Sequence, residues 1–225
     1  MLDTPRTTLA LLVRKRRFFF QKLVLGYAIG ETPHFDEPGL TFFRRRMQET
    51  RVYLEYGSGA STLVAASHVP MVISVECDRV FAKAVKEHVT ASAHENDVRI
   101  IYANIGVTEE WGYPLFHSTS ARRLEAWRNY AEAPWRVLTP LHITPDTILI
   151  DGRFRVACAL RCFLSVDQSC CVLVDDYGDR DYYKEIERHS DIVAMHGRMA
   201  EFRKKPDFDE GQCRDDLARY SRIPD

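Results

Sequence analysis

Residues 52–62 read Val-Tyr-Leu-Glu-Tyr-Gly-Ser-Gly-Ala-Ser-Thr. Arg51 to Tyr56 is a short apolar run that reads as a strand, and it stops at Gly57 and Gly59. Small residues from Ser61 to His68 then start a helix at once. Two glycines between a strand and a helix let the chain turn sharply and let a ligand approach the main chain. The third glycine of the dinucleotide fingerprint is replaced by Thr62, and a carboxylate, Glu55, precedes Gly57 by two residues. A carboxylate there is unhelpful to a pyrophosphate and suits a cationic ligand with an ammonium group.

A second strand, Val72 to Val75, ends in Glu76. An acid at the end of the second strand, about twenty residues after the glycine turn, is placed to hold both hydroxyls of a ribose. Beyond it the alternation continues. Val80 to Val89 repeats apolar residues at helical spacing. Val98 to Ala103, Thr147 to Ile150 and Cys171 to Val174 read as strands, with helices at Arg155 to Leu164 and from about Asp181 to Arg188. Ile192 to Met195 and Met199 to Arg203, split by His196-Gly197, read as a closing hairpin. The pattern predicts an α/β, three-layer, Rossmann-like fold, a mostly parallel sheet with an antiparallel C-terminal edge hairpin.

These residues resemble the class I S-adenosylmethionine-dependent methyltransferases. Glu55-Tyr-Gly-Ser-Gly is similar to that family's first motif, acid-x-Gly-x-Gly, and Glu76 to its ribose-binding acid. Asn104 ends the third strand where the family often has an aspartate toward the adenine amino group. The resemblance runs from about Arg51 to Arg203. It implies S-adenosylmethionine held by Glu55, Gly57, Ser58, Gly59, Ser61, Glu76 and Asn104, and methyl transfer to an oxygen or nitrogen of a small-molecule or sugar acceptor. Two rivals stand beside it. One is an NAD-dependent oxidoreductase, against which Thr62 and Glu55 speak. The other is a non-catalytic binding or scaffold protein, since a fold does not fix a function.

Asp151 ends the fourth strand, and Asp175 with Asp176 ends the fifth. In a parallel sheet these ends lie side by side on the ligand-binding rim, and three carboxylates there suit Mg²⁺ or Ca²⁺. The arrangement is similar to the catechol O-methyltransferase branch, which makes Asp151 the catalytic candidate and Asp151, Asp175 and Asp176 candidate metal ligands. The competing reading has Asp151 border the cofactor pocket while Asp175 and Asp176 cap the next helix or pair with Arg153 and Arg155. His117, His142 and His196 fall in expected loops as candidate bases. Trp111-Gly-Tyr-Pro114 offers a stacking wall for an acceptor or a loop anchor.

The 225 residues divide into a helical N-terminal extension over 1–50, a cofactor-binding domain over 51–205 with an insertion at 107–145, and a tail over 206–225. Lys+Arg 31 against Asp+Glu 32 removes the electrostatic case for a general nucleic-acid binder. No apolar window of about 18 residues exists for a membrane span. The six cysteines lack zinc-ligand spacing and read as small buried hydrophobes of a cytoplasmic protein. Leu9 to Val13 is followed by Arg14-Lys15-Arg16-Arg17, the reverse of a signal peptide's order. The stretch from about Thr8 to Tyr27 reads as a basic amphipathic helix with three open uses: a packed edge helix, membrane-surface contact, or a lid.

Overall fold

The computed structural model describes residue 10 and residues 13–92, 95–117, 119–178 and 180–225. Five parallel strands form the body of one sheet: β1 (Val52–Tyr56), β2 (Met71–Glu76), β3 (Asp97–Tyr102), β4 (Thr147–Ile150) and β5 (Cys171–Val174). The hairpin of β6 (Ser190–His196) and β7 (Met199–Lys204) completes it, β7 lying antiparallel between β5 and β6. The order across the seven strands is β3-β2-β1-β4-β5-β7-β6. The order reverses at β1 and β4, so a crevice opens at their carboxyl ends, where such sheets hold ligands.

The central strands bury both faces, which is why they read as unbroken apolar runs. Alternate residues feed two cores. Leu54, Tyr56, Ile148, Ile150, Val172 and Val174 face a core shared with α5 (Ala121–Glu132), α7 (Arg155–Phe163) and α8 (Glu210–Tyr220). Tyr53, Leu149, Cys171 and Leu173 face the other, packed by Phe43 and Met47 of α2 (Glu37–Glu49) and Ala65 of α3 (Ala60–His68). α4 (Arg79–Ala91) follows β2, and the short α6 (Trp135–Leu138) follows α5. All six cysteines are free and buried.

Several elements differ from the sequence reading. α2 begins at Glu37, since Pro38 is tolerated in a first turn and Asp36 Oδ1 accepts from the Gly39 N–H at 3.1 Å. The other oxygen of Asp36 accepts from the Arg198 N–H at 2.8 Å, and the Phe42 ring stacks on His196 with centroids 3.5 Å apart. Asp181–Arg188 is a 3₁₀ helix, and its buried Tyr183 and Ile186 stand three residues apart, the period of that helix. The stretch beyond 206 carries α8, capped by Asp209, whose Cys213 and Tyr220 are buried against α7.

The N-terminal helix is expected from about Thr8. Residues 8, 9, 11 and 12 lie outside the described residues; α1 (Arg16–Phe20) continues into a π-helical turn, Gln21–Leu25. Among the described residues no helix is long and apolar enough to cross a membrane.

Candidate functional site

β1 delivers the chain to Gly57, whose φ of +97° is a conformation that side-chain-bearing residues avoid. The Gly57 N–H donates to the Val75 carbonyl at 2.8 Å, which ties the turn to β2. Glu55 does not reach the cavity above the turn. It is fully buried beneath, where Tyr53 and Ser61 hydroxyls donate to Oε2 at 3.0 and 2.8 Å and the Thr62 hydroxyl donates to Oε1. Thr62 Oγ1 in turn accepts from the Gly59 N–H at 2.9 Å. Burial pushes the Glu55 carboxyl up to about 7 against these donors. The expectation that Glu55 touches a ligand is therefore corrected: it shapes the turn from below.

Glu76 stands where the spacing expects it. Its Oε1 accepts from the backbone N–H groups of Cys77 and Asp78, each at 2.7 Å, and Oε2 accepts from the Ser58 N–H at 3.2 Å. Burial lifts it to about 7, opposed first by the Asp78 N–H. The strand-end acid thus clamps the glycine turn and also lines the cavity.

That cavity has a volume of about 510 Å³. Gly57, Ser58, Gly59 and Ser61 line it with Glu76 and Cys77; Asp151, Gly152 and Arg153 continue the lining where Gly152 meets Gly57, and Tyr130 lines it there too. The Tyr130 hydroxyl is buried, faces Gly152, and has no hydrogen-bond partner among the described residues. An orphaned buried hydroxyl in a cavity wall is a ready partner for a ligand.

The roof comes from a region that sequence reasoning left outside the cofactor site. Phe18, Tyr27, Pro33, His34 and Phe35 line the cavity from above, with Trp111 and Gly112 of the insertion. Lys22 is buried and pairs with Asp78 at 2.5 Å, and its ammonium donates to the Thr108 carbonyl and hydroxyl, each at 2.9 Å. Lys15 bridges Glu109 and Glu110 at 2.8 and 2.7 Å. These lysines strap the N-terminal segment across the insertion. Lys15 belongs to the basic cluster of residues 14–17, but its acidic partners lie more than ninety residues away in sequence, and those of Lys22 are likewise distant.

Asn104 departs from expectation: it is exposed, its side-chain oxygen accepts from the Gly106 N–H at 2.9 Å, and it is absent from the cavity wall. The side chain spends itself on closing its own turn. His117 and His142 do not line the cavity, and His196 is bonded to Glu201 at 3.0 Å beyond α2. The histidine at the cavity is His34, which sequence reasoning passed over. Trp111 does stand at the cavity wall, 78% exposed.

The strand-end acids converge, but arginines hold them. Arg155 Nη2 meets Asp151 Oδ1 at 2.9 Å. Arg198 meets Asp175 at 2.9 Å and Asp176 at 3.2 Å. Arg180 meets Asp176 at 3.5 Å. Burial raises Asp151 to about 6, with the Arg155 guanidinium opposing. Three carboxylates already neutralised by guanidinium groups leave no donor set for a hard cation, and among the described residues no group of His, Cys, Asp and Glu is arranged to hold one. The expected Mg²⁺ or Ca²⁺ site at Asp151, Asp175 and Asp176 does not fit, and the arginine pairing holds instead. The arginine of that pairing closest to the sequence reading is Arg155; Arg198, from the hairpin, was not foreseen.

No family model matches the chain. No curated protein matches it. Among solved structures, a methyltransferase-like protein from Silicibacter pomeroyi is 33% identical, with a TM-score of 0.76 over 86% of this chain and 98% of that one. An O-methyltransferase from Bacillus cereus, solved with S-adenosylhomocysteine, is 13% identical, with a TM-score of 0.51 over 91% of this chain and 93% of that one. At that identity the second likeness is one of fold alone.

Proposed function

The chain belongs to the class I S-adenosylmethionine-dependent methyltransferases, and from that premise we propose that its cavity carries the methyl donor along Gly57, Ser58, Gly59 and Ser61, with the ribose at Glu76, and presents it to an oxygen or nitrogen of a small-molecule or sugar acceptor beside Asp151. The observation that carries this reading is the single cavity shared by the glycine turn, Glu76 and Asp151. Its residues fit the donor: bare backbone at the turn, a strand-end carboxylate for hydroxyls, and the orphaned Tyr130 hydroxyl beside Gly152. A volume of about 510 Å³ suits a small-molecule site.

When bound, S-adenosylmethionine supplies an electrophilic methyl on a sulfonium. The protein's share is positioning and proton handling. Gly57 and Gly152 keep the floor free of side chains. Glu76 accepts hydroxyl hydrogens while its backbone bonds fix its orientation. Arg155 fixes one oxygen of Asp151, and a carboxyl lying near 6 is ionised at neutral pH and able to accept the proton that an acceptor hydroxyl or amine loses. The strap and Trp111 line the site on its outer side.

Calorimetric titration of S-adenosylhomocysteine into wild type and Glu76→Gln tests the donor site. Losing one charge-assisted pair of contacts weakens binding by about tenfold or more. Asp151→Asn keeps that affinity and loses turnover on hydroxyl- or amine-bearing acceptors. A folded Glu76→Gln protein with unchanged affinity overturns the ribose assignment.

A further inference from the structure

The strap has its polarity inside out. Along residues 15–22 the inward stripe is Lys15, Phe18 and Lys22, with the lysines committed to Glu109, Glu110 and Asp78. The stripe turned outward, at the same helical spacing, is Arg16, Phe20, Leu23 and Val24. Phe20 is 61%, Leu23 68%, Val24 64% and Leu25 73% exposed. A helix lying on a water-exposed protein surface turns its apolar residues inward and its lysines outward. Here Phe20, Leu23, Val24 and Leu25 stand in the open, while Lys22 is buried. Arg14, Arg16 and Arg17 flank them, exposed, and none of the three forms an ion pair among the described residues.

We propose that this outward face docks on an anionic bilayer surface. Phe20, Leu23, Val24 and Leu25 enter the boundary between headgroups and acyl chains, and Arg14, Arg16 and Arg17 meet the anionic headgroups. A second copy of the chain fits the patch poorly. A two-fold contact sets the same patch against itself, and since residues 13–25 carry no carboxylate, it would draw in both copies' arginines with no acid of the patch to pair them. The lysine ties hold the segment on the protein from beneath, so the face is presented already folded, and docking incurs little ordering cost. The inference stands apart from the methyl acceptor, since the outward residues take no part in the cavity assigned above.

Sedimentation of the full chain with vesicles tests it, using phosphatidylcholine alone and an equal mixture of phosphatidylcholine and phosphatidylglycerol. The wild type binds the mixed vesicles, binds the neutral ones far less, and is released by salt. Arg16→Gln with Arg17→Gln lowers partitioning to the mixed vesicles by about thirtyfold. Leu23→Glu with Val24→Glu abolishes it. Both variants keep the wild-type affinity for S-adenosylhomocysteine, which shows that they fold. Equal partitioning of wild type and Leu23→Glu/Val24→Glu overturns the proposal. So does a wild type that ignores both vesicles and is a dimer in buffer that Leu23→Glu/Val24→Glu splits, which assigns the face to a second copy.

Discussion

Gly57 and Gly152 meet backbone to backbone at the ends of β1 and β4. A Cβ on Gly57 would come to 2.7 Å from the Gly152 nitrogen, and one on Gly152 to 2.9 Å from the Gly57 nitrogen. A Cβ on Gly152 would also run into the Tyr130 hydroxyl. Gly152→Ala therefore forces the ends of β1 and β4 apart. Overpacking of this kind destabilises by about 1–3 kcal/mol. Melting temperature and S-adenosylhomocysteine affinity should fall together in this variant.

Tyr130→Phe removes one oxygen that has no partner among the described residues. Deleting an unsatisfied buried hydroxyl leaves stability unchanged or raises it. Ligand affinity moves the other way, weakening by about three- to tenfold if the ligand is the hydroxyl's partner. Calorimetry and thermal melting on the same protein separate the two effects, and unchanged affinity assigns Tyr130 a packing role alone.

The Lys22–Asp78 pair is buried on both sides, at 7% and 6% side-chain exposure. Lys22→Met leaves the Asp78 carboxylate without its cation, at a cost of about 3 kcal/mol. Because Phe18 and Tyr27 of the same segment roof the cavity, cofactor affinity falls as well. Deleting residues 1–27 should do the same, contrary to an expectation that every cofactor contact follows Glu55. A truncated protein with full S-adenosylhomocysteine affinity would remove the strap from the site.

Glu55 makes stability depend on pH in a defined direction. Its folded-state value, about 7, lies above the ordinary 4.5, so between these the folded protein holds a proton that the unfolded chain has released. Stability therefore falls as pH rises through that window, and the loss is complete above it. The Glu55 share of that loss is about 3 kcal/mol. Glu55→Gln should flatten the curve by that order, measured by urea unfolding from pH 4.5 to 8; an unaltered slope means that the carboxyl ionises freely where it lies.

Divalent metal should leave the melting temperature where it is, since Arg155 and Arg198 occupy the strand-end acids. Arg198→Ala exposes the consequence: Asp175, with 2% side-chain exposure, loses its partner at 2.9 Å. The expected destabilisation is about 2–3 kcal/mol. A melting temperature that rises with Mg²⁺ in wild type, and no longer does so in Asp175→Asn, would restore the metal reading.

What the sequence disclosed is what lies within a few residues of a strand end. The glycine turn, Glu76 and Asp151 follow from β1, β2 and β4 and stand at the cavity wall. The parallel body and the closing hairpin follow from the alternation of apolar runs with helical spacing. Glu55 shares the motif but points to the underside, and only the positions of Tyr53, Ser61 and Thr62 explain why. Asn104 lies at the right strand end, yet a local turn claims its side chain. The roof, the Lys22 pair and the Arg198 pairing join distant segments, and no local pattern in either partner announces the other.

The bonds between Asp36 and Arg198, and the Phe42–His196 stack, have a temporal consequence. A ribosome emitting this chain releases α2 long before the hairpin that completes its seat, the Asp36–Arg198 separation being 162 residues. At about 5–20 residues per second, that leaves α2 waiting for roughly ten to thirty seconds. Phe43 and Met47 find Tyr53 of β1 and Ala65 of α3 early, but Leu173 and Met199, which complete their seat, come only near the close of that interval. α2 thus completes its packing only when the hairpin has emerged.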